Sequence, residues 1–409
     1  MDACRVPPGK VLPNGARNEL SFTAIRPGGR NCYPAIWVQD FTMIFASGFV
    51  TVQDGLDHLE LILRCQNGGS TRTLKSGARL PPHAIPDHIN FDGTPVFFPG
   101  TYSSGDDQGG EPWGVTPPHG NHFDVIWLAH MLAQVSRRHD FLLADIHGLS
   151  VYQRLQHAYQ VPTTDPKTGL VYTIPEQRAV GFIFCDSVYM TGLLLMASLL
   201  RIRASRQLAG LAATLGHKSD AASYLEQAKL TAKNIRPTFA GTGRYRGWLM
   251  AATGTSSQPD VWATIYSIYL NILDEESKRP AIETILSAIR DGDIEENGAL
   301  RHVPIKHDAS KSTAWERSLA PHNRYQNGAF WHMPTGWLVA ILKEQHPDQA
   351  ESILGRYLTH MRDHAFTMGN DFCAPWECIG WNGEACQNPV FGPSVTVPYS
   401  VLAGLERKT

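Results

Sequence analysis

Carboxylates set beside aromatic rings are the side chains here best suited to chemistry, and they fall in short stretches spread along the chain. The first is Trp37-Val38-Gln39-Asp40-Phe41. A ring that covers the C–H face of a sugar, next to a carboxylate that accepts its hydroxyls, holds a polyhydroxylated ligand; equally, Asp40 could cap a helix and Trp37 could be core. Phe184-Cys185-Asp186-Ser187 places a carboxylate at the expected start of a very apolar helix. Desolvation there raises its pKa and a helix N-terminus lowers it, so Asp186 reads either as a general acid or as an N-cap helped by Ser187. Glu377 lies between Trp376 and Trp381 in a loop of little surface-like composition. It is either buried against a partner such as Arg or placed to activate a water.

Two further stretches supply contacts rather than proton transfer. Asn323 to Pro334 holds six hydrogen-bonding side chains, Tyr325 among them, together with Gly328 and Trp331. So many polar groups are costly for folding alone, which marks Arg324, Tyr325, Gln326, Asn327 and Trp331 as ligand contacts. Residues 105–124 carry Trp113 ahead of Pro117-Pro118, where an extended segment meets a helix. Asp106, Asp107 and Glu111 in that stretch fit no calcium-loop spacing and read as a solvated acidic turn. Arg178, in Glu176-Gln177-Arg178, joins the candidate contacts, and Gln258 to Trp262 and Trp315 to Arg317 look like weaker rim elements.

These stretches need elements to position them. Ala221, Tyr224, Leu225, Ala228, Ala232 and Ile235 step by three and four, as do Ala350, Ile353, Leu354, Tyr357, Leu358 and Met361: one apolar stripe each. The segments from Phe123, Ser187 and Val261 are apolar nearly all round and must be enclosed. The pattern predicts helices near 38–49, 54–66, 120–138, 142–158, 186–214, 217–236, 259–274, 276–291, 327–345, 347–365 and 393–405. Enclosed and amphipathic helices alternate, as two concentric layers require: an all-α fold, an (α/α)6 toroid one helix short of six hairpins. Long irregular stretches at 67–119, 159–185, 237–258, 292–326 and 366–392 form its working face, because structureless loops of that length are usually functional. No strong linker divides the 409 residues, so one domain over 1–409 is expected.

Composition bounds the ligand. Hydrophobic residues at 43% with 18% charged are ample for a closed core, and a net charge of −2 provides no basic stripe for nucleic acid and no polybasic run for a membrane surface. Ten Trp, 13 Tyr and 17 His suit a neutral polyhydroxylated ligand better than a polyanion. Seven Cys without C-x-x-C spacing argue against a disulfide framework and a zinc site, so no cofactor or metal is expected. The opening MDACRVPPGK lacks a signal-peptide core and no apolar run reaches a membrane span, which favours a cytoplasmic protein.

The order of the motifs is similar to a known series. Aromatic-Asp-Phe near the start, W-G-x-x-P-P, C-D-S, Y-x-N-G-x-x-W and W-E-C-I-x-x-N-G resemble the six-hairpin (α/α)6-barrel glycoside hydrolases related to processing α-glucosidase I and mannosylglycerate hydrolase. The resemblance spans nearly the whole chain through degenerate motifs. It implies Asp186 as general acid, Glu377 as general base, Asp40 as the substrate-holding carboxylate, and Tyr325, Gly328 and Trp331 in the pocket. It further implies inverting hydrolysis of a terminal glycosidic bond. Gln326-Asn327 departs from the family's Trp-Arg, Gln39 stands where an aromatic is common, and Cys378-Ile379 replaces aromatics after Glu377. Those departures bear on the substrate more than on the fold. Competing readings are a sugar epimerase or polysaccharide lyase using His or Tyr (His119, His122, His322 and His332 lie in the motif loops), a glycoside phosphorylase with Arg317 or Arg324 on an anion, and a non-catalytic carbohydrate-binding protein.

Overall fold

A computed structural model describes residues 1–30, 32–177, 181, 183–255, 258–308, 315–380 and 387–405. Among them are eleven α-helices: α1 (Val38–Phe45), α2 (Val52–Arg64), α3 (Gly120–Ser136), α4 (Val151–Gln160), α5 (Leu195–Thr214), α6 (Lys218–Phe239), α7 (Val261–Tyr269), α8 (Glu275–Arg290), α9 (Thr335–Leu342), α10 (Pro347–Asp363) and α11 (Pro393–Leu402).

The odd-numbered helices make a closed ring: α1 packs on α3, α3 on α5, α5 on α7, α7 on α9, α9 on α11, and α11 returns to α1. Their sequences require it. Every residue of α7 is buried, and so is α3 from Gly120 to Ala133. A helix without a polar face is stable only when enclosed on most sides. The even-numbered helices lie outside, α2 and α4 against α3, α6 against α5, α8 against α7 and α10 against α9. Each outer helix buries one stripe; in α6 it is Tyr224, Ala228, Thr231, Ile235 and Phe239. The outer helices also carry the better caps. Thr51 with Asp54 and Ser150 with Gln153 close capping boxes on α2 and α4. The result is an (α/α)6 toroid.

Connections differ sharply between its two ends. Inner-to-outer links are mostly short, as at 215–217 and 270–274, whereas outer-to-inner links run through 65–119, 161–194, 240–260, 291–334 and 364–392. The long links therefore gather over the N-terminal ends of the inner helices, carrying short strand pairs such as Ala35–Trp37 with His88–Asn90 and Trp376–Cys378 with Gln387–Pro389.

Three helices begin later than their periodicity suggests. Before α4, residues Asp145–Ile146 and Leu149–Ser150 form a hairpin whose turn, His147-Gly148, has φ of 51° and 80°, outside the helical region. Before α5, Val188–Tyr189 pairs with Arg317–Ser318 and Gly192–Leu193 pairs with Tyr172–Thr173. Before α9, Phe330–Trp331 pairs with Ala299–Arg301. Before α5 and α9 the apolar residues that look helical in sequence are buried by strand pairing across loops, whereas before α4 the hairpin is local and Leu143 stays exposed. No helix among the described residues is long and apolar enough to cross a membrane.

Candidate active site

One cavity opens among the long loops, enclosing about 500 Å³ with its mouth included. Several segments line it. Tyr33, Trp37, Gln39 and Asp40 come from the entry to α1, and Asp87 from the first long loop. Pro118 and Asn121 come from the start of α3, Gly181, Phe184, Cys185 and Asp186 from the approach to α5, and Tyr325 and Glu377 from the approaches to α9 and α11. A concave pocket with a few converging polar groups is the usual form of a binding or catalytic site.

Glu377 lies in the strand Trp376–Cys378 and is 2% exposed. Three donors converge on its carboxyl: Tyr33 Oη and Asn388 Nδ2 on Oε2, and Tyr325 Oη on Oε1 at 3.1 Å. Asn388 Nδ2 also reaches Tyr33 Oη at 2.9 Å. Burial pushes Glu377 up to about 7; the three donors pull the other way, and the nearby Asp186 charge adds to the rise. Donors on both oxygens serve the ionised form.

Asp186 is half-buried, its open side on the cavity, yet enough protein surrounds it to push its pKa up to about 6. Desolvation is the main cause, opposed by a hydrogen bond from Gln326 and reinforced by Asp87. Gln326 Nε2 donates to Asp186 Oδ1, while Gln326 Oε1 accepts from Ser187 N–H at 2.6 Å and from Ser187 Oγ at 2.8 Å. Asp186 is thus not a helix cap: α5 begins at Leu195, and the helix N-terminus that would have lowered its pKa is absent from this position. Asp40 is no cap either. Trp37 holds the cap position of α1 and Asp40 sits in its first turn, 5% exposed, with burial and the charges of Glu377, Asp87 and Asp186 raising its pKa well above the carboxylate range.

Asp87 is a fourth carboxylate in the cavity that the sequence reading missed. His88 Nδ1 bonds its Oδ2 at 2.9 Å and Asn121 Nδ2 its Oδ1 at 3.3 Å, while His88 stacks on Trp37 with ring centroids 4.5 Å apart. Tyr33 and Asn388 were missed too. The signal for Tyr33 was its place four residues before Trp37; nothing local marks Asn388. Among the described lining residues none is Lys or Arg, so neighbouring carboxylates add to the rise that burial gives Asp40, Asp186 and Glu377.

Backbone strain concentrates here. Tyr33, Ile183, Phe184, Tyr325, Asn388 and Val390 all have φ between 40° and 60°, a region that costs non-glycine residues about 1–3 kcal/mol each. Three of the six carry the side chains that bond Glu377, so the strained conformations are the ones that aim them.

Other residues singled out in the sequence lie elsewhere. Trp331 is fully buried behind the lining, stacked on Phe184 at 4.9 Å. Trp376 leaves its strand away from Glu377 and is covered by His360 and His364, at 5.3 and 5.4 Å between rings. Asn327 Nδ2 ties down its own loop through Ala320 O at 2.9 Å, and Arg324 is exposed. Trp113 packs over Gly100, outside the lining. Arg178 and Trp381 fall outside the described residues. Asp106 pairs with Arg72 and Glu111 with Arg317, and no cluster able to hold a metal ion occurs among the described residues. His119, His122 and His332 are buried and do not line the cavity, and His322 bonds Asp308 at 2.5 Å.

The sequence matches no protein-family model and no curated protein. In three dimensions the chain is similar to the GH63 mannosylglycerate hydrolase of Thermus thermophilus in complex with glucose, with a TM-score of 0.56 at 14% identity over 92% of this chain and 95% of that one. A bacterial glucoamylase complexed with acarbose gives a TM-score of 0.54 at 13% identity, covering 94% of this chain and 51% of the other. For the GH78 family rhamnosidase of Bacillus sp. GL1 the values are 0.55 and 10%, covering 93% and 33%. The chain thus spans about half and a third of those two longer proteins. At such identities the likeness establishes the fold, that of the six-hairpin toroids.

Proposed function

We propose that the protein is a glycoside hydrolase that removes a terminal sugar with inversion, Asp186 acting as general acid and Glu377 as general base. The observation that carries this reading is the pair itself. Two carboxyls from separate loops, Glu377 buried and Asp186 half-buried, line one cavity, with pKa values pushed up to about 7 and about 6, so between them they hold a proton near neutral pH. Paired titrations of this kind belong to the pair, and the hydrogen bonds apportion the roles. Burial leaves the higher pKa on Glu377 in spite of its three donors, so the roles are assigned from what each group can do once charged: three donors stabilise the Glu377 carboxylate that deprotonates a water, and Asp186, with one side-chain donor, is the group assigned to protonate the leaving oxygen. The fold shared with hydrolases named for mannosylglycerate and with a glucoamylase bound to acarbose supports the same substrate class.

In this reading Trp37 covers a sugar face, and Asp40, which lines the same cavity, accepts hydroxyls. A pocket ringed by loops from separate parts of the chain admits one end of a glycan, which suits exo-attack. An inverting pair needs carboxyls about 6.5–9.5 Å apart to accommodate the water, against about 5–5.5 Å in a retaining one. The proton-abstracting alternatives lack a histidine among the described lining residues, and Tyr33 and Tyr325 are engaged as donors to Glu377.

Screening the protein against aryl glycosides and disaccharides of both anomers tests the reading. Asp186→Asn and Glu377→Gln should each lower kcat by about 10²–10⁴-fold with folding unimpaired. Undiminished turnover in either variant, or sugar binding without cleavage by the unaltered protein, would contradict it.

A further inference from the structure

Tyr325 and Gln326 are adjacent in sequence, yet each donates to a different one of the two carboxyls: Tyr325 to Glu377 and Gln326 to Asp186. The left-handed φ of 46° at Tyr325 turns the two side chains apart. Gln326 is 1% exposed, and its amide cannot be reversed without harm. Its Oε1 accepts two bonds from Ser187, so a flip would set an NH₂ group against the Ser187 N–H and an oxygen against Asp186. The amide orientation, and with it a fixed donor on Asp186 Oδ1, follows from Ser187.

We propose that Gln326 is not a substrate contact but the positioning residue for the proton carried by Asp186. An N–H held on Oδ1 keeps negative charge on that oxygen and steers the proton to Oδ2. When Oδ2–H passes its proton to the glycosidic oxygen and the bond to the anomeric carbon breaks, the charge left on Asp186 is met by a donor already in place. The attacking water meanwhile bonds to the anomeric carbon and gives its proton to Glu377, and return of one proton from Glu377 through solvent to Asp186 resets the pair. No reorganisation is needed at the moment of transfer, which is where preorganised donors act. This rests on Asp186 being the acid, as proposed above.

The test follows the Asp186 carboxyl directly, by pH titration of its C=O stretch in difference infrared spectra, assigned as the band lost in Asp186→Asn. Removing the donor in Gln326→Leu should move the Asp186 midpoint up by about one unit. In kinetics on glycosides of the sugar the screen identifies, kcat should fall about 10–100-fold for poor leaving groups and little for the glycosyl fluoride, which needs no protonation. Gln326→Glu keeps the acceptor for Ser187 and so protects the fold. It should raise the midpoint further and recover activity only on the acid side, where its own carboxyl is protonated and can donate. A midpoint unmoved in both variants, or equal losses on fluoride and alkyl leaving groups, would overturn the assignment. Full turnover by Asp186→Asn would instead remove the reading beneath it, leaving the titration result to stand alone.

Discussion

Burial and hydrogen bonding act against each other on Glu377, and their balance has a consequence for stability. Its folded pKa of about 7 lies above the ordinary value of 4.5, so the native state holds the proton more tightly than the unfolded chain does. That contribution is fully present below about pH 4.5 and is lost as pH rises through about 7; at pH 8 the charged group weighs against the fold. Glu377→Gln removes the titration while keeping the shape. Measured by urea unfolding, the variant should gain on the unaltered protein as pH rises from 5 to 8. A difference independent of pH would show that Glu377 is not held in a water-poor site. At this scale the sequence was partly legible. Asp40, Asp186 and Glu377 stood out as carboxylates beside rings, though a helix cap for Asp40 and Asp186 and an ion pair for Glu377 were open alternatives. Asp87 and Asn388 did not, because their relevance comes from contacts across the chain: Asn388 meets Tyr33, 355 residues away.

Elements are held by close approach as well as by apolar area. Gly336 on α9 faces α11 so closely that a Cβ there would lie 2.6 Å from Pro398 Cα, against backbone that cannot swing aside. Gly336→Ala should therefore cost about 1–3 kcal/mol, as overpacking does in a filled core, and a chemical denaturation midpoint will report it. An unchanged midpoint would mean that the two helices can slide apart. Helix identities were legible, all eleven in their places, since an all-apolar run and a three-four stripe have different packing needs. Starts were less so. Residues 186–194 and 327–334 carry the composition of buried helix but are enclosed by loop strands, and periodicity alone does not separate a short buried strand from a buried helix.

At the scale of the molecule, closure of the ring matters most, because α11 completes it against α1. The main apolar cluster runs from Cys4 to Val401, so the two ends of the chain share one core. We propose that residues 1–409 form one unit, for which calorimetry should give a single unfolding transition; two resolved transitions would divide it. The toroid itself was legible from alternation of enclosed and amphipathic helices, whereas the shape of the cavity at its end was not, being made by loops without periodicity. What that cavity does is tested most directly by following hydrolysis of a substrate of known anomer by proton NMR. Inverting hydrolysis by Asp186 and Glu377 releases a free reducing sugar whose first-formed anomer is opposite to that of the substrate, and Asp186→Asn should give no such product. Retention of configuration, an unsaturated sugar, or the same product from the variant would contradict it.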